Sequence, residues 1–239
     1  MALLEVSGLT RDFGGLRAVS SLSFTVEGGE ILGLIGPNGA GKTTVFNLIT
    51  GFLRPTSGDI RLDGRSISGL KPHAVVRIGI ARTFQIVKPF PNLSVRENVA
   101  LAALVRTNDR AKADAEAVRT LTQVGLGDRL DMPASDLTLS DQKHMEMARA
   151  LATGPRLLLL DEPLAGLNLR ETEEACGLIL KIRDSGITVV LVEHVMKAIM
   201  RISNRVVVIR QGAKIADGPP SEVVNDPGVI TAYFGKRGT

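Results

Sequence analysis

The stretch Gly36-Pro37-Asn38-Gly39-Ala40-Gly41-Lys42-Thr43-Thr44 carries the residue types of a phosphate cradle. Glycines let a backbone curl so that successive N–H groups face inward. A helix starting here adds its positive dipole end and its unsatisfied donors. Lys42 can neutralise β- and γ-phosphates, and the Thr43 hydroxyl can ligate Mg²⁺. Asp161 and Glu162 form a second candidate pair. The aspartate suits a metal or a metal-bound water, and the glutamate suits polarisation of an attacking water. Gln85 can offer an amide oxygen to Mg²⁺ or to a water, and His194 is a candidate sensor of a terminal phosphate.

These residues need elements to hold them. The loop follows Ile31-Leu32-Gly33-Leu34-Ile35 and precedes Val45-Phe46-Asn47-Leu48-Ile49, the strand–loop–helix setting such a cradle requires. Leu157-Leu158-Leu159-Leu160, ahead of Asp161-Glu162-Pro163, reads as a strand buried on both faces, as in a parallel sheet. Two carboxylates at its end are costly unless something positive sits there. Ile187-Thr188-Val189-Val190-Leu191-Val192 is a third buried strand, ending in Glu193-His194. The expectation is that three strands deliver the loop, the acid pair and His194 to one sheet edge, where open parallel sheets bind ligands.

The remaining chain is punctuated clearly. Leu3–Val6 and Leu22–Val26 read as short strands separated by a polar segment, and Phe13 within that segment either stacks on adenine or covers the core edge. Asp63-Gly64 is a hairpin signal, Pro72 opens a short helix through Arg77, and Gly79–Gln85 reads as a strand. Ser94-Val95-Arg96-Glu97 is a capping box, and an Ala-rich helical stretch covers 111–124. Residues of roughly 88–153 are expected to form a mainly helical insert. A strand pair, Arg205–Arg210 and Lys214–Asp217, flanks Gln211-Gly212, and one helix is expected over about 220–234.

A chain of 239 residues fits one large α/β domain, or one with an inserted lobe. The net charge of +4 is mild, no clustered basic patch is visible, and aromatics make up only 3% with no Trp; these argue against a nucleic-acid partner. The single cysteine, Cys176, cannot form an internal disulfide, so a reducing cytoplasm is expected and the residue reads as a small core hydrophobe. Met1–Glu5 lacks the basic region of a signal peptide, and no apolar run approaches the roughly 18 residues a membrane helix needs.

The order of these motifs resembles the ATP-binding subunit of an ABC transporter, over the whole chain. The resemblance implies an α/β fold of the phosphate-loop NTPase class and ABC ATPase type. Its core is a mixed, largely parallel sheet, with an antiparallel β subdomain and the inserted helical lobe, in one domain over 1–239. By that resemblance Phe13 is the adenine-stacking aromatic and Gly36 to Thr44 the Walker A loop. Gln85 heads the Q-loop, Asp161 and Glu162 are the Walker B aspartate and catalytic glutamate, Ala165-Gly166-Leu167-Asn168 is the D-loop and His194 the switch histidine. The ligands implied are ATP and Mg²⁺.

Narrower segments are similar to the branched-chain amino acid importers, and to the longer of their two ATPase subunits. They are Ala81-Arg82-Thr83-Phe84-Gln85, Phe90 to Val99, Ala165-Gly166-Leu167-Asn168, Val192-Glu193-His194 and Pro227 to Gly235. Implied partners are a second ATPase subunit, membrane permease subunits and, indirectly, a solute-binding protein, with the chain peripheral on the cytoplasmic membrane face. Import of another small solute, such as urea or an amide, belongs to the same resemblance. Soluble relatives in DNA repair or translation carry long coiled-coil inserts or two ATPase halves, and this chain has neither.

One segment departs from the family. Counting back from Ala148-Arg149-Ala150-Leu151 places the Leu-Ser-Gly-Gly-Gln/Glu signature at Leu137-Thr138-Leu139-Ser140-Asp141. A reading shifted to start at Leu139 requires a deletion. Thr138 keeps a hydroxyl, Leu139 and Ser140 replace glycines, and Asp141 replaces Gln or Glu. A Cβ at Ser140 is expected to hold the backbone N–H away from a partner's γ-phosphate. The expectation is a weakened signature half-site, in a heterodimer with one strong and one weak ATP site or in a nucleotide-gated subunit of low hydrolysis.

Overall fold

Apolar alternation builds a long hairpin at the start of the chain. In the computed structural model, which describes residues 2–234, β1 (Ala2–Phe13) and β2 (Leu16–Glu27) run 12 residues each and pair antiparallel. The expected short strands are only the outer ends of this ribbon. The polar residues between them also pair, because several register slips let Leu9, Val19 and Leu22 turn inward while Arg11 and Asp12 stay half-buried.

The elements that follow are β3 (Ile31–Ile35), α1 (Lys42–Ile49), β4 (Ser57–Leu62), β5 (Arg65–Ser66), α2 (Pro72–Arg77), β6 (Ile80–Arg82), α3 (Val95–Ala103), α4 (Arg110–Gln123), α5 (Leu139–Ala152) and β7 (Leu157–Asp161). Then come α6 (Leu169–Asp184), β8 (Thr188–Val192), α7 (Met196–Ile202), β9 (Arg205–Arg210), β10 (Ala213–Gly218), α8 (Pro220–Val223) and α9 (Pro227–Phe234). They fall into two compact units, residues up to 75 with those from 188 onward, and residues 76–187.

The first unit holds two sheets. One is antiparallel, in the order β2-β1-β4-β5. The other joins β10, β9, β3 and β8, with β3 parallel to both β8 and β9. Every residue of β3 and β8 is buried, which explains their unalternating apolar sequences. Each buried Leu, Ile or Val contributes about 1.5–3 kcal/mol relative to exposure. The β4–β5 hairpin turns at Asp63-Gly64 as its sequence predicts.

Asp59 knits that hairpin together. Its carboxylate accepts from the hydroxyls of Ser66 (2.6 Å) and Ser68 (2.8 Å) and from Arg61 Nε (2.9 Å). The Ser66 bond, then the Arg61 guanidinium, hold the carboxyl down to about 2. A depressed carboxyl stabilises the fold above its unfolded pKa and loses that contribution as pH falls through the folded value. The urea midpoint of the parent should therefore fall more steeply than that of Asp59→Asn between about pH 4 and pH 2.

The second unit pairs β6 with β7 in parallel, Ile80 opposite Leu157 and Arg82 opposite Leu159. β6 is shorter than the strand expected over 79–85. After Thr83 N–H reaches Leu159 O (2.9 Å), the Phe84 N–H turns away to the Glu146 carboxylate (2.7 Å), so the ladder ends. The capping box is present: Ser94 Oγ accepts from Glu97 N, and the Glu97 carboxylate accepts from Ser94 N. Asn168 and Glu171 make another at the start of α6, and Cys176 is buried in that helix.

The single helix expected over 220–234 is two helices, α8 and α9. Pro227 cannot donate a backbone N–H, and it disfavours helical backbone at Asp226. The Asp226 carboxylate instead accepts from Val229 N–H (3.0 Å) and restarts the chain as α9. Gly235, the last residue of the C-terminal resemblance, lies outside the described residues. Among the described residues, no helix is long and apolar enough to cross a membrane.

Candidate functional site

The first unit supplies the loop. β3 ends at Ile35, and the chain turns at Gly36 because nothing larger fits: a Cβ there would lie 2.1 Å from Ile209 O. Gly41 is held the same way, at φ 102° with a Cβ position 2.5 Å from Ala18 O. Ala40 N–H closes on Pro37 O (3.1 Å), and Gly212 N–H, from the β9–β10 turn, donates to Ala40 O (3.0 Å). The backbone of Gly36 also bonds the Tyr233 hydroxyl, whose pKa is raised by burial against the opposing pull of that bond.

Lys42 is buried at the mouth of α1, its ammonium donating to Gly36 O (2.7 Å) and Pro37 O (3.1 Å). Asn38, Gly39 and Thr43 are exposed, and Thr44 is half-buried. The N-terminus of α1 has no side-chain cap and no acid in its first turn. A cationic, uncapped helix start inside a curled backbone suits an anion, and phosphate in particular.

His194 stands just beyond β8, exposed, with its N–H and that of Val195 aimed at the buried Glu193 carboxylate (3.0 and 3.4 Å). Because β3 and β8 are parallel, Gly36 and Glu193-His194 leave the same end of the sheet. Phe13 closes β1, 42% exposed, with the Arg11 guanidinium 4.6 Å from its ring centre and Arg11 Nη1 on Arg54 O (2.9 Å).

The second unit gathers Gln85, Asp161 and Glu162. Asp161 ends β7 almost sealed from solvent, and its Oδ2 accepts from Arg82 Nη2 at 2.6 Å. Its N–H donates to the Thr83 hydroxyl (3.2 Å). Glu162 sits at φ 51°, a left-handed backbone rare for anything but glycine. Gln85 Nε2 donates to its carboxylate (2.8 Å), and Lys143 Nζ donates to its carbonyl (3.0 Å). The Gln85 amide oxygen remains as an acceptor beside a carboxylate. Within this unit the Gln85 amide oxygen and the Asp161 and Glu162 carboxylates are all hard oxygen donors, the chemistry Mg²⁺ prefers.

Thr138 is the N-cap of α5, accepting from Asp141 N–H and donating its hydroxyl proton to Asp141 Oδ2 (2.6 Å). The same Oδ2 is paired with Arg129. Leu139 is exposed beside them.

Sequence reasoning missed Arg82, Glu146, Arg129 and Tyr233. The first had a signal: two carboxylates closing a buried strand demand a cation, and Arg82 closes a strand of like apolar character. Glu146, raised in pKa by burial, anchors Phe84 from six residues beyond Ser140 on α5. Neither it nor Tyr233 announces itself, since both act on backbone groups distant in sequence.

Two family patterns match the chain: "ABC transporter" over residues 19–165, and "Branched-chain amino acid ATP-binding cassette transporter" over 213–239. The high-affinity branched-chain amino acid transport ATP-binding protein BraF of Pseudomonas aeruginosa is 45% identical, with 98% of each chain covered. The corresponding LivG of Salmonella typhimurium is 43% identical over the same share of each chain. A crystal structure of a nucleotide-free ATP-binding cassette from an ABC transporter superposes with a TM-score of 0.91 at 27% identity, covering 99% of this chain and 100% of that one.

Proposed function

This chain belongs to the ABC transporter family of ATP-binding cassettes, and from that premise we propose that it is the ATP-hydrolysing subunit of an importer for branched-chain amino acids. The observation that carries the catalytic half is the curled loop from Gly36 to Thr44 around the buried Lys42 ammonium, set on an uncapped helix. The solute follows from BraF and LivG, which align end to end.

Residue roles follow. The loop amides and Lys42 hold the β- and γ-phosphates. By the family pattern Thr43, Gln85 and Asp161 would hold Mg²⁺, which would offset phosphate charge and polarise the γ-phosphoryl group. Glu162 polarises the attacking water, His194 contacts the γ-phosphate, and Phe13 stacks on adenine. The remaining partners are a second cassette and membrane permease subunits, with the chain lying peripherally on the cytoplasmic face and residues of roughly 88–153 acting as its helical lobe. ATP-driven uptake of leucine, isoleucine or valine by vesicles holding this chain with its permease tests the reading. Vesicles that consume ATP but accumulate only urea or an amide overturn the solute assignment.

A second reading, weak hydrolysis at the half-site this chain offers its partner, is favoured by Thr138. Its hydroxyl proton is committed to Asp141 and is not available to a γ-phosphate. Reverting Ser140→Gly together with Asp141→Gln should raise turnover of the assembled dimer about tenfold or more, since one hydrogen bond to a charged group is worth about 1.5–3 kcal/mol. Equal phosphate release from parent and variant eliminates this second reading.

A further inference from the structure

Arg82 and Asp161 end neighbouring parallel strands and bond at 2.6 Å, with 5% and 3% of their side chains exposed. The arginine is far more than a surface counter-ion. Its guanidinium is always charged and cannot neutralise itself when another cation arrives. It also lies over the Phe84 ring, 5.1 Å from the centroid. Phe84 is pinned by its N–H to Glu146 and is followed by Gln85, whose amide holds the Glu162 carboxylate.

We propose that Arg82 is a positioning residue that holds the Asp161 carboxylate while metal is absent and yields it to Mg²⁺. In yielding, it carries the exchange into the Phe84–Gln85 segment and so to Glu162. This rests on the reading of Asp161 as a magnesium-facing acid. Mg²⁺ demands close, near-octahedral oxygen ligands. A guanidinium that stays on the Asp161 carboxylate repels the incoming Mg²⁺ with little water between the two cations, so the metal gains by its withdrawal. The Phe84 face, over which the guanidinium already lies, keeps it favourably seated once the bond to Asp161 is released. The segment that bears the water-polarising acid's partner is thus loaded by the metal rather than by nucleotide alone.

The test is equilibrium binding of a fluorescent, slowly hydrolysed ATP analogue to the full chain, in EDTA and across a Mg²⁺ titration. The unsubstituted protein should bind more tightly with Mg²⁺; no Mg²⁺ effect there removes the reading of Asp161 itself. An adjacent opposite charge changes a carboxylate's affinity for a competing proton about ten- to thousandfold, and a metal feels the same neighbour. Arg82→Met should therefore lower the half-saturating Mg²⁺ by about tenfold, and Arg82→Lys by a smaller factor, with affinity in EDTA unchanged. A merely structural arginine predicts the opposite sign, a disordered Asp161 that needs more Mg²⁺. An equal or higher Mg²⁺ requirement in both variants overturns the proposal. Should neither variant fold, guanidinium nitrogen NMR on the unsubstituted protein decides. Arg82 N–H signals protected in EDTA and shifted by Mg²⁺ with nucleotide support the exchange, and signals that stay put overturn it.

Discussion

Glu162→Gln should bind ATP as the parent does and turn it over about 10²–10⁴ times more slowly, the usual worth of a positioned general base. The substitution is close to isosteric, and the local structure tolerates it. Gln85 Nε2 can donate to a carboxamide oxygen as it does to the carboxylate, and the Lys143 bond is to the backbone carbonyl, which does not change. What is lost is the proton acceptor. The backbone supports this assignment. A non-glycine residue at φ 51° costs about 1–3 kcal/mol, a strain proteins keep where a side chain must be aimed. Phosphate release and equilibrium nucleotide binding, measured on one preparation, separate the two effects. Parental turnover in Glu162→Gln removes this residue from the chemistry.

The sequence was most legible where burial was uniform. Leu157–Leu160 and Thr188–Val192 could be placed because strands covered on both faces admit little but apolar residues. The Ser94–Glu97 box and the Asp63-Gly64 turn were legible because each is complete within four residues. Legibility failed where geometry came from afar. The ribbon from Ala2 to Glu27 looked broken because its register slips scramble the two-residue alternation that marks a strand. The early end of β6 depends on Glu146, 62 positions away. The partner of Asp161 lies 79 positions back, so the sequence shows that a cation is required but not which one. The signature segment is the intermediate case. Its departures from glycine were visible, but the Arg129 partner that neutralises Asp141 was not, nor was the Thr138 hydroxyl proton given to that carboxylate.

Lys42→Ala should weaken ATP binding by about 10²–10³-fold, the cost of about 2.7–4 kcal/mol typical of removing a preorganised donor from a developing or bound anion. It should also do something a purely ligand-facing lysine would not. The ammonium bridges Gly36 O and Pro37 O, so it closes the loop on itself before any nucleotide arrives. Gly36 is sealed, and its carbonyl left without this donor costs about 1–3 kcal/mol. For a chain of this length that corresponds to a fall in Tm of about 2–4 °C per kcal/mol, readable by calorimetry without nucleotide. Lys42→Arg separates the two roles. It preserves the charge, but a planar fork cannot seat where one nitrogen reaches both carbonyls, so stability should drop nearly as far while part of the affinity survives. Undiminished ATP binding in Lys42→Ala would remove the loop from nucleotide recognition. Unchanged Tm would show that the two carbonyl bonds contribute nothing to the fold.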